Sequence, residues 1–109
     1  MDARETRLAA NETMFRELNE RIDDAARRHG EDSHVYAFVC ECSNTDCTLK
    51  IELALAEYEA VRAHGSRFAV AMGHALPEVE TVVDAHEGYD VVEKEDAAAD
   101  YAEAHDPRS

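Results

Sequence analysis

The sequence predicts an α+β fold, in which a long N-terminal helix packs on a small, mostly antiparallel sheet of about four short strands with two further short helices. Three observations support this class. Apolar residues recur at helical spacing near the N-terminus, later segments alternate apolar with polar residues, and three cysteines crowd the turn between the first two of those segments. A chain of 109 residues has room for one modest core, so we expect a single domain over residues 1–94.

The N-terminal helix is predicted over residues 3–28. One of its faces carries four apolar residues, namely Leu8, Phe15, Leu18 and Ile22. Acidic and basic residues alternate on the outer side. Such an amphipathic helix needs an apolar surface to lie on. It either lies on the rest of its own chain or pairs with a second copy of itself, which would make the protein a homodimer.

Two strands joined by a polar turn are predicted next. Residues 35–42 are rich in β-branched and aromatic side chains, and residues 48–53 alternate apolar with polar ones. The polar run 43–47 between them suits a turn. The pattern therefore predicts a β-hairpin with cysteines at its tip.

The rest of the chain predicts short elements and a tail. The pattern favours a helix over residues 55–63 and strands over 67–72 and 89–93. The acidic, alanine-rich segment 95–109 is predicted to be a disordered tail.

A second short helix is predicted over residues 77–86. Pro77 suits a first helical turn, and the i, i+3, i+4, i+7 spacing joins Val79, Val82, Val83 and His86. His86 would then lie on the apolar stripe, where a hydrogen-bonded core histidine is its expected role.

The cysteines Cys40, Cys42 and Cys47 predict a metal site. Residues two apart on a strand face the same side, so Cys40 and Cys42 can direct both sulfurs to one point, and the turn returns Cys47 beside them. Three thiolates and a fourth ligand make a closed structural zinc site. The spacing Cys-x-Cys-x4-Cys differs from the paired Cys-x-x-Cys of zinc ribbons. Two alternatives stay open: three metal-free thiols, or a disulfide with one thiol left over.

His74 is the predicted fourth ligand because it sits in a glycine-containing loop at the end of the strand 67–72. His34 would lie about 20 Å from Cys40 along an extended strand. Asp46 would supply an oxygen, which is less usual in a thiolate-rich site. His64 is expected to be exposed in a loop.

Other chemistries fit the sequence less well. A known class of [2Fe–2S] proteins with three cysteines and one histidine places the last cysteine close to the histidine, whereas the next histidine after Cys47 is His64. Zinc is therefore favoured over iron. Three thiolates leave a zinc ion little Lewis acidity, and Glu41 faces away from the sulfurs on its strand. The sequence also lacks a phosphate-binding glycine loop and a nucleophile elbow, so no enzymatic activity is predicted.

The charge distribution bears on partners. The net charge is −14, and residues 31–94 carry thirteen acids against four bases, a net of −9. Phosphate backbones and anionic membranes would be repelled, so neither nucleic-acid nor membrane binding is expected. A basic protein partner would be attracted, although solubility alone also accounts for the charge. No signal peptide is recognisable at the N-terminus, and a reducing, cytoplasmic location is expected.

Several motifs resemble a group of small, uncharacterised bacterial proteins of actinobacterial type. They are Phe38-Val39-Cys40-Glu41-Cys42-Ser43, Cys47-Thr48, Leu55-Ala56-Glu57-Tyr58-Glu59-Ala60-Val61-Arg62, Gly73-His74 and Gly88-Tyr89. The resemblance implies that the three cysteines and His74 form one constellation, and it implies no particular activity. Met72 stands where that group would have a proline.

Three functions follow as hypotheses. The first is a small intracellular interaction or regulatory module that a structural zinc ion stabilises. The alternative is a thiol-based sensor of metal or oxidants, with zinc or, less favoured, an iron–sulfur cluster. The third is a small metalloenzyme.

Overall fold

The computed structural model describes residues 3–28, 34–44 and 46–108. Its elements, in chain order, are α1 (Ala3–Arg27), β1 (Val35–Val39), β2 (Lys50–Ala54), α2 (Leu55–Arg62), β3 (Arg67–Ala71), β4 (Glu80–His86), β5 (Tyr89–Lys94) and α3 (Asp96–Ala104). The predicted α+β class and the long N-terminal helix are confirmed. No helix in the described part of the chain is long and apolar enough to cross a membrane.

The strands form two antiparallel sheets rather than one. β1 and β2 make the predicted hairpin, in which Val39 lies opposite Lys50, and a second sheet has the order β3-β5-β4. The segment that follows β1 runs along the edge of β3, where the Glu41 amide donates to the Ala69 carbonyl at 2.9 Å. This contact joins the two sheets and covers an edge that would otherwise expose unpaired backbone groups.

The helix predicted over residues 77–86 is wrong, because β4 occupies most of that segment. Val82 and Val83 are exposed instead of lining a buried stripe. β-branched side chains favour extended backbone, and β4 gains a hydrogen-bonded partner in β5 across a tight turn. Gly88 makes this turn possible with a φ of +91°.

His86 is correspondingly not a core histidine. It lies near the end of β4, where its ring stacks on Tyr89 and its Nε2 lies 2.9 Å from a carboxylate oxygen of Asp84. Its side chain is 37% exposed.

The buried face of α1 is polar, which differs from the predicted apolar face. Phe15 is buried as expected, but Leu18 and Met14 are 40% and 46% exposed. The innermost positions carry four polar side chains that are at most 1% exposed, namely Glu12, Arg16, Asn19 and Asp23. Burying such groups costs free energy unless each finds a partner, and the rest of the chain supplies those partners.

The segment predicted to be a disordered tail contains α3 instead. Ala98 and Ala102 of this helix are buried, and the Arg16 guanidinium of α1 donates to the Ala102 carbonyl at 2.7 Å. Beyond α3, Arg108 pairs with Glu20 at 2.9 Å. The small alanine side chains that suggested low order in fact allow α3 to approach α1 closely.

The apolar core lies between α1, α2 and the two sheets. Phe38 of β1 stacks on Tyr58 of α2 with ring centroids 4.6 Å apart, and Phe68 of β3 lies deep in the same cluster. Cys40 and Cys42 belong to this cluster as well. The cysteine loop is therefore anchored at the border of the core.

Candidate metal centre

The structure brings Cys40, Cys42, Cys47 and His74 together. Cys40 and Cys42 follow β1, Cys47 lies in the loop that leads to β2, and His74 lies in the turn after β3. Each side chain offers one ligand atom, and the four atoms all lie within 4.8 Å of one another. A single metal ion can be bound at this point.

The distances from the imidazole match a tetrahedral ion. Nδ1 of His74 lies 3.6 Å from the sulfur of Cys40 and 3.7 Å from that of Cys47. Zinc bonds of about 2.3 Å to sulfur and about 2.0 Å to nitrogen, at the tetrahedral angle, place the two atoms about 3.5 Å apart. Two edges of the coordination tetrahedron are therefore already formed.

Hydrogen bonds within the cluster favour the thiolate form of Cys42. Cys40 and Cys42 share a hydrogen bond that raises the pKa of Cys40, with burial acting in the same direction. The same bond, together with His74, lowers the pKa of Cys42 to about 5 against the effect of burial. A cysteine binds a metal as its thiolate, so a metal cation would find one of the three cysteine ligands already deprotonated.

Cys40 is held rigidly by β3. Its sulfur accepts a hydrogen bond from the Ala71 amide at 3.0 Å, and its own amide donates to the Leu49 carbonyl at 3.2 Å. The side chain is 2% exposed. Amide-to-sulfur bonds of this kind stabilise thiolate charge and orient the sulfur.

The turn that carries His74 depends on its neighbour Gly73, which has a φ of +81°. A side chain at this position would favour other backbone conformations. The Gly73 amide donates to a carboxylate oxygen of Asp90 at 3.2 Å, and the His74 amide donates to the Ala71 carbonyl at 2.9 Å. The turn thus aims the imidazole toward the cysteine loop.

Glu41 anchors the ligand segment from the side opposite the sulfurs. Its carboxylate is completely buried and accepts three hydrogen bonds. The donors are the Tyr58 hydroxyl at 2.7 Å, the backbone amide of Ala69 at 2.9 Å and the side-chain amide of Asn19 at 2.9 Å. Burial raises the pKa of Glu41, and these donors oppose that effect. Glu41 therefore positions the two neighbouring cysteines and has no access to a substrate.

α1 reaches the cysteine loop directly. Asn11 donates from its side chain to the Ser43 carbonyl at 2.9 Å, and Asn19 binds the backbone of Val39. Sequence reasoning did not assign these residues, or the supporting role of Glu41, to the site. The sequence did contain a signal for the role of Glu41. A carboxylate on the core side of an otherwise apolar strand must find hydrogen-bond donors there.

The other candidate ligands lie elsewhere among the described residues. His34 packs edge-on against Tyr36, with ring centroids 4.7 Å apart. His64 is exposed, and the Asp46 amide closes a local turn by donating to the Asn44 side chain. None of these residues belongs to the cluster around His74.

Comparison of the chain with protein-family models, with curated proteins and with solved structures gives no match. The resemblance to small actinobacterial proteins therefore stays a prediction.

Proposed function

We propose that this protein is a small interaction or regulatory module whose fold is stabilised by one zinc ion bound to Cys40, Cys42, Cys47 and His74. The observation that carries the proposal is the convergence of four ligand atoms within 4.8 Å, with nitrogen–sulfur distances of a tetrahedral zinc site. A Cys₃His set is typical of structural zinc, in which all four positions are filled by the protein.

The same distances favour a single ion over an iron–sulfur cluster. In a two-iron cluster each iron takes two of the four protein ligands, so the two pairs stand further apart than one tetrahedral edge. Here His74 is one edge away from both Cys40 and Cys47. Four protein ligands also leave no open position for substrate, which supports a structural role over a catalytic one.

The surface supports a basic protein as partner. A shallow groove between α2 and the β4–β5 hairpin is lined by Ala56, Ala60, Glu57 and Asp84. Arg67 also lines it and is ion-paired with Glu93. The overall charge of −14 adds a long-range attraction for a basic surface. The alternative partner, a second copy docked through α1, would use the exposed Met14 and Leu18.

Metal analysis tests the proposal. Protein purified without added metal should contain one zinc ion per chain. H74A should lose zinc or bind it far more weakly, because three ligands remain, whereas H64A removes an exposed histidine outside the cluster and should retain zinc. Metal-free protein with three freely titrating thiols would overturn the proposal. Bound iron with visible charge-transfer absorbance would show that the site holds an iron–sulfur cluster instead of zinc.

A chelator tests the structural role. Since binding of structural zinc is coupled to folding, EDTA should lower the unfolding temperature of the wild type strongly and that of H74A little. An unchanged unfolding temperature after complete zinc removal would show that the ion is not structural.

The partner is tested with surface variants. The zinc-loaded chain should bind a basic partner from its native host in a salt-sensitive manner, and D84N should weaken that binding. E17Q removes one negative charge from the exposed side of α1, away from the groove, and should not. Equal losses of partner binding in D84N and E17Q would argue against the groove as the binding surface.

A further inference from the structure

The three cysteines of the proposed zinc site are held very differently. The Cys40 sulfur accepts a hydrogen bond from the β3 backbone at Ala71. The next residue, Glu41, is bound to Ala69 twice, since its amide donates to the Ala69 carbonyl and its side-chain carboxylate accepts from the Ala69 amide. Displacing Cys40 would break a strand-like pairing in the core. This cysteine is fixed by the fold itself.

Cys47 is in the opposite situation. It is the partly exposed member of the set, whereas Cys40 and Cys42 are 2% and 3% exposed. It lies in the loop between β1 and β2, and its amide donates to the carbonyl of Asn44, another residue of that loop. Among the three cysteines, Cys47 is therefore the most accessible to a solute.

Cys42 lies in the same loop as Cys47, one residue after Glu41, whose amide bonds to β3. The two sulfurs lie within 4.8 Å of each other. A disulfide needs about 2 Å, so the sulfurs must approach by less than 3 Å. Movement of the loop can supply this approach without moving a strand, whereas a bridge to Cys40 would require breaking its bonds to β3.

We propose that Cys42 and Cys47 form a reversible disulfide when the site reacts with a peroxide, and that this oxidation releases the zinc ion. The inference rests on the proposed zinc site and adds its regulation. The ion would be retained under reducing conditions and lost under oxidising ones. Cys40 would stay in place and take no part in the disulfide.

The chemistry balances with hydrogen peroxide as the oxidant. The Cys47 thiolate attacks one peroxide oxygen, so a sulfur–oxygen bond forms, the oxygen–oxygen bond breaks and hydroxide leaves. The Cys42 thiolate then attacks the sulfenic sulfur of Cys47, so a sulfur–sulfur bond forms and a second hydroxide leaves. Two thiolates have lost two electrons, one peroxide has been reduced, and two protons from solvent convert the hydroxides to water.

Zinc release follows from the loss of ligands. The disulfide removes two thiolates from the coordination sphere and leaves Cys40 and His74. Disulfide sulfur is a poor zinc ligand because thiolate is the binding form. A two-electron reductant reverses the reaction and restores the site.

The test uses the zinc-loaded full chain treated with hydrogen peroxide. A chromogenic chelator should report one zinc ion released per peroxide consumed. Free thiols are then alkylated with one reagent, the protein is reduced, and the new thiols are alkylated with a second. Mass spectrometry should place the first label on Cys40 and the second on Cys42 and Cys47, and dithiothreitol with zinc should restore metal binding.

Two ligand-preserving variants give a matched comparison. C47H keeps four ligands as a Cys₂His₂ set but lacks one of the two reacting sulfurs, so peroxide should release zinc about tenfold more slowly. H64A keeps all four ligands and both reacting sulfurs, because His64 is exposed and lies outside the cluster, so its release should match the wild type.

Each outcome separates this inference from the proposed function. Absence of zinc before peroxide is added defeats the proposed function itself. Zinc that is present but retained under peroxide, a bridge that includes Cys40, or release from C47H at the wild-type rate defeats only the disulfide proposal.

Discussion

Asn19 binds the backbone of Val39 through both ends of its side-chain amide. Its Nδ2 donates to the Val39 carbonyl at 2.8 Å, and its Oδ1 accepts from the Val39 amide at 2.8 Å. The pair reproduces the two hydrogen bonds that a neighbouring strand would make. Because Val39 immediately precedes the first cysteine ligand, α1 sets the position at which the metal-binding segment leaves the sheet.

N19A should therefore weaken both the fold and the metal site. It removes the backbone partner of Val39 and one donor to Glu41, and buried groups left without partners cost about 1–3 kcal/mol each. Urea unfolding should give a free energy lower by about 3 kcal/mol, and competition with a zinc chelator should give a weaker affinity. N11A removes one partly buried bond to the cysteine loop and should cost about 1 kcal/mol. Equal effects of the two variants would contradict the role given to Asn19.

G73A should lower zinc affinity, and G88A should not. Both glycines have positive φ, +81° and +91°, and a Cβ at either position would meet no atom within 4 Å. Each substitution therefore costs about 1–2 kcal/mol of backbone strain without a clash. Only Gly73 precedes a proposed ligand, so a relaxed backbone there displaces His74. Zinc titration of the two variants provides the measurement, and equal affinities would show that the turn does not determine the ligand geometry.

Local pattern was sufficient to predict the hairpin and the approach of His74. Alternation of side chains over 35–42 and 48–53 predicts the antiparallel pairing, which the structure forms with Val39 opposite Lys50. A turn after the strand that ends at Ala71 places His74 at the same end of the molecule. These features depend on residues close in sequence, where spacing carries most of the information.

The segment 77–86 and the inner face of α1 could not be predicted in this way. The valine spacing of the segment fits a helix as well as a strand, and pairing with β5 decided between them. The polar residues of α1 find their partners far along the chain, as Arg16 does at Ala102, 86 positions away. Periodicity assigns such residues to the solvent side because it contains no information on distant partners.

The stability of the wild type should fall as the pH rises, through Glu12. Burial, reinforced by Glu80 and opposed by Lys94, raises the pKa of Glu12 from 4.5 to about 9. Between these values the folded chain keeps a proton that the unfolded chain releases. The resulting stabilisation is complete below about pH 4.5 and is lost as the pH approaches 9, by an amount on the order of a few kcal/mol.

E12Q isolates this effect because glutamine is neutral throughout and can still accept from Lys94. Between about pH 5 and about pH 9, the unfolding free energy should decrease more in the wild type than in E12Q. E17Q removes an exposed glutamate of α1 and should retain the pH dependence of the wild type. Parallel profiles for the wild type and E12Q would contradict a proton held on Glu12.

R16K should loosen α3. The Arg16 guanidinium donates to the carbonyls of Gly65 and Ala102, both at 2.7 Å, and lies over the Phe68 ring with its central carbon 4.6 Å from the centroid. A lysine ammonium lacks the planar fork that binds two such carbonyls at once, so one of them loses its partner. The expected loss of unfolding free energy is about 1–3 kcal/mol.

Hydrogen exchange distinguishes this effect from general destabilisation. The amides of α3 should exchange faster in R16K, while those of β3 and β5 should change less, because Arg16 holds α3 by a hydrogen bond to its Ala102 carbonyl. R21K makes the same change at an exposed position of α1 and should leave both sets of amides unaffected. If α3 exchanged at the wild-type rate in R16K, its docking would have to depend on the burial of Ala98 and Ala102 and on the Arg62–Asp106 ion pair instead.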